Sequence, residues 1–492
     1  MFSLNSKINV ATFTRLLDKL GALLLKHNLV IDSRKIMIGD IFAAYPGTAM
    51  DGRKFIQTAI DKGAKFILWE ETKDHPQCGN VDNLSAIDLA QYIGLLASYK
   101  YNYPTKYYNT IGVTGTNGKT SITHWLNQAY SNLNKKTAII GTTGAGIYPN
   151  TNDFKMTTPD PITLQEMLAN FMNEKIDLLA MEVSSHALIQ GRVNGVKYDV
   201  AIWTNLTQDH LDYHGTMENY YQAKRNLFYW ESLKQAIVNT DDKYGKRLYD
   251  EIKQSRLDLR CLSYGINSGD LYASNIKVTL NGTSFQLNYG LENIHVNVKL
   301  VGNFNVYNLL AVAGTLLLDG YSLAQIVPIL EVLNPVPGRM ETLILPNKPL
   351  VVVDYAHTPD ALENVLNTLS QIEHIGKIYC VFGCGGDRDA KKRPIMGKIA
   401  SEIADVVIVT SDNPRTENPE MIVQEVIGGI EKINYIAITD RKSAIDYALK
   451  EANASDIVLI AGKGHETYQE VCGKREHFSD VEVALNYLKD AR

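Results

Sequence analysis

The chain has 492 residues, 45% hydrophobic and 21% charged, which is ordinary for a soluble globular protein but too long for one core, so about three domains are expected. Its 49 basic and 54 acidic residues give a formal charge of −5, which removes the electrostatic case for a nucleic-acid partner. No apolar run approaches the ~18 residues of a membrane span, and the N-terminus lacks a basic-then-apolar signal pattern. Five scattered cysteines (Cys78, Cys261, Cys380, Cys384 and Cys472) suit free thiols in a reducing compartment, so a cytoplasmic protein is expected.

In chain order, residues 13–25 have helical apolar spacing. A strand-like stretch at 29–34, an apolar run at 40–45, the turn Pro46-Gly47, a helix over 54–62 and a strand over 65–69 follow. These make a small α/β unit complete by about residue 87, and the helix expected over 88–101 is given to the next unit. A short apolar run then feeds Gly115-Thr116-Asn117-Gly118-Lys119-Thr120, with a helix expected over 121–130. Strand, glycine-rich turn and helix in that order aim backbone N–H groups and a helix dipole at one spot, which binds phosphate. Lys119 adds a cation for the outer phosphates and Thr120 a hydroxyl able to ligate Mg²⁺. The strict phosphate-loop pattern places a glycine where Val113 stands, so this is a shorter variant.

Apolar runs at 137–140, 176–182 and 200–203, each ending in a polar cluster, read as buried parallel strands with functional groups at their carboxyl ends. Residues 268–301 alternate in a hairpin-like way, a helix is expected over 308–318, and the Pro/Gly-rich stretch 334–339 marks a second boundary. Runs at 349–354, 376–382, 405–410 and 456–461 then restart the strand–helix alternation. The expected fold class is α/β in three units. These are a small N-terminal domain (1–87), a central P-loop NTPase-like doubly wound sheet (88–336) and a C-terminal Rossmann-like domain (337–492).

Glu182 closes one of these strands, and residues 209–214 concentrate Asp209, His210, Asp212 and His214 after the next. Glu and His at strand ends beside a phosphate loop can hold Mg²⁺ that bridges a nucleotide's phosphates to a second substrate. Lys224, on a helical stretch beside an apolar face, reads by itself as a solvated lysine.

Taken in order, the phosphate loop, Glu182-Val-Ser-Ser-His186, Asn205 with Asp209-His-Leu-Asp212, Ala223-Lys224, Gly302-Asn-Phe-Asn-Val-Tyr-Asn308 and Asp354-Tyr-Ala-His357 resemble the motif set of the Mur ligases. These are ATP-dependent amino-acid ligases of peptidoglycan precursor synthesis, and the resemblance covers nearly the whole chain. It implies that ATP phosphorylates the D-Glu side-chain carboxyl of UDP-MurNAc-L-Ala-D-Glu and that the incoming amine displaces phosphate from the acyl phosphate. It also implies a carbamate, derived from CO₂, on Lys224. Lys119, Glu182, His210 and Lys224 would be catalytic, with Thr120, Glu182, His210 and carbamylated Lys224 holding Mg²⁺. Gly115 to Thr120, Asn305, Asn308, Arg339, Asp354 and His357 would bind the nucleotide. Ile31, Ser33, Thr157, Thr158, Ser184, Gln190 and Arg192 fall where the family holds the UDP-muramoyl-dipeptide.

Asp412-Asn413-Pro414-Arg415 resembles the specificity motif of the branch that adds meso-diaminopimelate. That amino acid has a distal carboxylate that lysine lacks, and Arg415 can grip it with two parallel hydrogen bonds. Facing lysine instead, the guanidinium loses its partner, a mismatch that can reject an analogue by ~10⁴-fold. Arg388, Gly462 and Glu466 match the remaining amino-acid contacts, Glu466 toward the ammonium. The alternatives are a lysine-adding version, a folylpolyglutamate synthetase-like ligase, and a nucleotide switch that ligates nothing. A monomer is expected.

Overall fold

A computed structural model describes residues 8–490 apart from 48–49, 75–77, 79–80, 153–156, 267, 280–281 and 373–375. The strand–helix alternation resolves into three sheets, each with its own core. The first is parallel, with Leu29–Val30, Ile41–Ala44, Phe66–Trp69 and Asn83–Ser85 in chain order. Helix Val10–Leu24 covers it through Phe13, Leu16, Leu20 and Leu24. The helix after residue 87, Ala90–Lys100, is shared between units. Tyr92, Ile93 and Leu96 join the first core. Its other face meets the central unit so closely that a Cβ on Gly94 would lie 2.2 Å from the Asn194 carbonyl oxygen.

The central sheet has ten strands. Seven neighbours run parallel in the order Thr137–Gly141, Leu178–Glu182, Asn109–Thr114, Val200–Trp203, Gln235–Asn239, Arg260–Ile266 and Leu271–Thr279, with Gly144–Ile147 antiparallel at the outer edge of the first. The stretch read as hairpin-like extends one edge as an antiparallel meander of Leu271–Thr279, Gly282–Tyr289 and Glu292–Val298. Side chains of the inner strands alternate between two cores, Leu178 and Ala180 on one side and Leu179 and Met181 on the other. Helices Lys119–Asn132 and Asn303–Leu318 cover the first face, and Pro161–Asn173, Met217–Arg225 and Lys243–Ser255 the second. The helix expected to begin at residue 308 thus begins five residues earlier, at Asn303. Asn305 and Asn308 are therefore helical residues.

The third sheet runs Glu341–Leu343, Leu350–Asp354, Ile457–Ala461, Ile378–Phe382, Val406–Val409 and Tyr435–Ala437, all parallel except the first. A small hairpin, Tyr468–Val471 with Lys474–His477, stands apart from it. All five cysteines are free thiols, with Cys380 and Cys384 inside the third core. No helix among the described residues is long and apolar enough to cross a membrane.

Candidate active site

The phosphate loop is built as its sequence requires. Gly115 and Gly118 have φ of +149° and +86°, and a Cβ there would lie 1.8 Å from Thr204 Oγ1 and 2.4 Å from Asn308 Oδ1. Glycine is the residue that satisfies both constraints. The next strand end braces the loop: Thr116 N donates to the Asn205 carbonyl (2.9 Å), Asn117 N to Asn205 Oδ1 (2.9 Å) and Thr204 Oγ1 to the Asn117 carbonyl (2.6 Å). Lys119 Nζ curls into the loop and donates to the carbonyls of Gly115 (2.9 Å) and Thr116 (2.7 Å). Its ammonium thus sits where outer phosphates of a nucleotide would be met.

Glu182, fully buried at its strand end, accepts from Thr120 Oγ1 (2.9 Å), Thr142 N (2.8 Å) and Thr142 Oγ1 (3.1 Å). Thr120 also accepts from Arg339 Nη2 at 2.9 Å. A hydroxyl beside a carboxylate is a hard-oxygen pair of the kind Mg²⁺ takes, so these two residues fit that ion. His210 has a left-handed backbone (φ +54°) after Asp209. Burial lowers the basicity of its ring against the opposing pull of Asp209, whose Oδ2 lies 3.3 Å from Nε2. Burial works against ionisation of Asp209, but the nearby Lys392 and a hydrogen bond from His210 N (2.9 Å) favour the carboxylate.

Lys224 is not solvated: it is 2% exposed, and its Nζ donates to the Gly115 carbonyl at 2.8 Å. Burial, then repulsion from Lys119, drives its amine well below the usual lysine range. A neutral buried amine is the form able to add CO₂. No group of three or more His, Cys, Asp or Glu side chains able to hold a metal occurs among the described residues.

Two cavities meet over this loop. One, of about 310 Å³, lies between the central sheet and the third unit, with Asn117, Gly118, Asn308, Arg339, Asp354 and His357 in its wall. Asn308 touches it directly. Asn305 stands behind, accepting from Asn308 Nδ2 (3.3 Å) while donating to the Val301 carbonyl (2.9 Å). Asp354 is buried, accepts from Met340 N at 2.7 Å, and has its carboxyl raised by that burial. Arg339 lies over the Tyr355 ring at 4.4 Å.

The other cavity, of about 270 Å³, is lined by Lys119, Thr120, Glu182, His210 and Lys224 from the central unit. From the third unit it takes Arg388, Asp412, Asn413, Arg415, Gly462 and Glu466. Glu466 is already engaged: its Oε2 accepts from Lys463 Nζ (2.9 Å) and Asn413 Nδ2 (2.8 Å), while Oε1 has no hydrogen-bond partner among the described residues. Pro414 is absent from the wall and its carbonyl backs onto Gly386, where a Cβ would come within 2.0 Å.

Of the residues expected toward the dipeptide, Thr157 and Ser184 line the same cavity. Thr158 Oγ1 donates to the Glu182 carbonyl (3.1 Å), and Arg192 bonds Gln190 Oε1 (2.7 Å) and the Thr158 carbonyl (3.2 Å). Ile31 and Ser33 line neither cavity. They sit beyond the first strand of the N-terminal sheet, where Lys62 Nζ holds the Ser33 carbonyl at 2.9 Å.

Three residues that sequence reading passed over belong to this region. Thr142 grips both oxygens of Glu182, and its place after the strand Thr137–Gly141 was the available signal. Asp360 accepts from Asn117 Nδ2 at 2.8 Å, tying the third unit to the phosphate loop. Lys392 is buried, donates to the His357 carbonyl at 2.8 Å and lies 3.9 Å from Asp209 Oδ1. Nothing local marks Asp360 or Lys392, because each acquires its role only across a unit boundary.

Comparison with known proteins agrees with this layout. Residues 26–101 match the Mur ligase family catalytic domain, 113–316 the Mur ligase middle domain, and 338–464 the Mur ligase glutamate ligase domain. The UDP-N-acetylmuramoyl-L-alanyl-D-glutamate–2,6-diaminopimelate ligase of Chromobacterium violaceum is 45% identical over 462 residues, 93% of each chain. A solved structure of a ligase of that name superposes with a TM-score of 0.67 at 37% identity, covering 94% of this chain and 95% of its own. The folylpolyglutamate synthase of Mycobacterium tuberculosis, at 18% identity and TM-score 0.61 over 76% of this chain and 92% of its own, shares the fold alone. A phosphate loop, a buried carboxylate and a buried lysine meeting at parallel strand ends, with family matches across all three sheets, lead to one conclusion: the chain belongs to the Mur ligase family.

Proposed function

We propose that this protein is the ATP-dependent ligase that joins meso-diaminopimelate to UDP-MurNAc-L-Ala-D-Glu in peptidoglycan precursor synthesis, acting as a cytoplasmic monomer. The observation that carries this reading is the shared cavity, in which the phosphate loop and Glu182 face Arg388, Arg415 and Glu466. Five free thiols suit the cytoplasm. In this reading residues 1–87 hold the UDP-sugar through Ile31 and Ser33, 88–336 carry ATP and the muramoyl dipeptide, and 337–492 carry the amino acid.

Amide formation from a carboxylate needs a better leaving group than oxide. The D-Glu side-chain carboxylate, held near Thr157, Thr158, Ser184, Gln190 and Arg192, attacks the γ-phosphorus of ATP and ADP leaves. The amine of diaminopimelate then attacks the acyl carbon, and phosphate departs with the two electrons of its C–O bond. Bringing a carboxylate to a triphosphate opposes like charges, and Lys119 and Arg339 in the cavity wall neutralise them. Thr120 and Glu182 would hold one Mg²⁺, and Glu182, His210 and carbamylated Lys224 a second. Bound there, Mg²⁺ supplies charge neutralisation and alignment of the phosphates. Asn308, backed by Asn305, and Asp354 and His357 would clasp the nucleoside. Arg415 reads the distal carboxylate of the amino acid and the free oxygen of Glu466 its ammonium.

The test is phosphate release by the purified protein. Release is expected only with UDP-MurNAc-L-Ala-D-Glu and meso-diaminopimelate together. Equal turnover with lysine would remove the specificity assignment, and turnover with folate and glutamate would move the chain to another branch.

A further inference from the structure

We propose that the hairpin of Tyr468–Val471 and Lys474–His477 is a specificity element that positions Arg415 from outside the cavity. The inference rests on the reading above that Arg415 recognises the distal carboxylate of the amino acid.

Arg415 has φ of +53°, a left-handed conformation that an arginine rarely adopts. The hairpin is what holds it there. Arg415 N donates to the Glu470 carbonyl (3.0 Å) and Cys472 N to the Arg415 carbonyl (2.6 Å), so the loop joins the hairpin as a short parallel bridge opposite Val471. The same strand grips the start of the loop. Gln469 Nε2 donates to the Asp412 carbonyl at 2.7 Å, and Glu470 N to Asn413 Oδ1 at 2.9 Å. With its backbone so held, the guanidinium donates to the Gly386 carbonyl at 2.6 Å, its one side-chain hydrogen-bond partner among the described residues. Arg415 is also one of the residues that line the cavity.

The hairpin has little other structural purpose. None of its eight strand residues enters the two third-unit cores, and its outer strand is exposed at every position. Its two-residue turn, Cys472-Gly473, has φ of +48° and +74°, the mirror-image turn that closes a hairpin without outside help. The Tyr468 ring is flanked by Lys463 Nζ at 5.3 Å and the Arg475 guanidinium at 4.0 Å, which ties the element to the segment carrying Glu466. A self-closing element outside the core that bonds Asp412, Asn413 and Arg415 is built to set that loop.

Steady-state kinetics of the full-length protein with diaminopimelate and with lysine test this. Gln469→Met, which keeps the shape but removes the donor, and Cys472→Val, a branched residue at positive φ, are expected to raise KM for diaminopimelate ~10-fold, the scale of one buried hydrogen bond left unmade. Discrimination against lysine should fall in parallel, with kcat, KM for ATP and the melting temperature unchanged. Cys472→Asn, which tolerates the turn, should behave as the parent. If Arg415→Ala abolishes discrimination while Gln469→Met and Cys472→Val leave it intact, the hairpin is merely structural and the inference is overturned. If Arg415→Ala itself leaves discrimination unchanged, the reading of Arg415 fails first.

Discussion

The Arg441–Asp480 pair offers the sharpest test of how the amino-acid loops are held. Both side chains are fully buried, and the guanidinium makes two bonds of 2.7 Å to the carboxylate. It also donates to the carbonyls of Ser411 (3.3 Å) and Ala461 (3.0 Å), the residues immediately before the loops that carry Arg415 and Glu466. Arg441→Met would leave Asp480 as an uncompensated buried charge, at ~3–5 kcal/mol. Two carbonyls losing a donor add ~1 kcal/mol each, so roughly 5–7 kcal/mol is expected. Arg441→Met with Asp480→Leu removes both charges and should recover most of the loss, since an apolar pair can replace a buried ion pair at little cost. Thermal unfolding by circular dichroism, with hydrogen exchange in Ile457–Ala461, reads the effect. A single mutant as stable as the parent, or a double mutant no better than the single, would refute the reasoning.

Gly118→Ala should weaken binding of a non-hydrolysable ATP analogue at least ~10-fold, since a ~1–2 kcal/mol left-handed strain is added to a direct clash with Asn308. Calorimetric titration measures it, and unchanged affinity would remove the loop from the nucleotide site. Depleting CO₂ should lower kcat ~100-fold, the scale of losing one electrostatic group from a catalytic site, and bicarbonate should restore it. Lys224→Met should be slow and indifferent to bicarbonate. Stability should also fall with acid. Burial, then Arg339, holds His124 down to about 4, below its unfolded value of ~6.5. Its contribution is complete above that unfolded value and is lost as pH falls toward about 4, because the unfolded chain takes up the proton first. Melting temperatures from neutral pH downward should therefore fall less steeply in His124→Gln.

Much of the site was legible because its rules are local. A glycine-lysine-threonine turn after an apolar run and before a helix has few other folded forms. Polar residues at the ends of buried parallel strands gather on one side of a sheet. Glu182 and His210 could thus be placed beside the phosphate loop from order alone, and the structure lines one cavity with all of them.

Lys224 shows where local rules stop. Its sequence surroundings suit a solvated lysine, but its depressed basicity comes from burial first and then from Lys119, in a core where its Nζ meets a carbonyl 109 residues away. The helix Ala90–Lys100 reads as one unit's property, but one face joins the first core while Gly94, Gln91 and Ser98 meet backbone carbonyls of the central unit. By itself the sequence determined the three-sheet architecture and the phosphate-binding chemistry, since strand period and glycine-rich turns act over a few residues. Only the tertiary structure decided which oxygen of Glu466 is engaged by Lys463 and Asn413, that Asn305 supports Asn308, and that Asp360 and Lys392 face the central unit. These depend on distances across unit boundaries, which no spacing along a chain encodes.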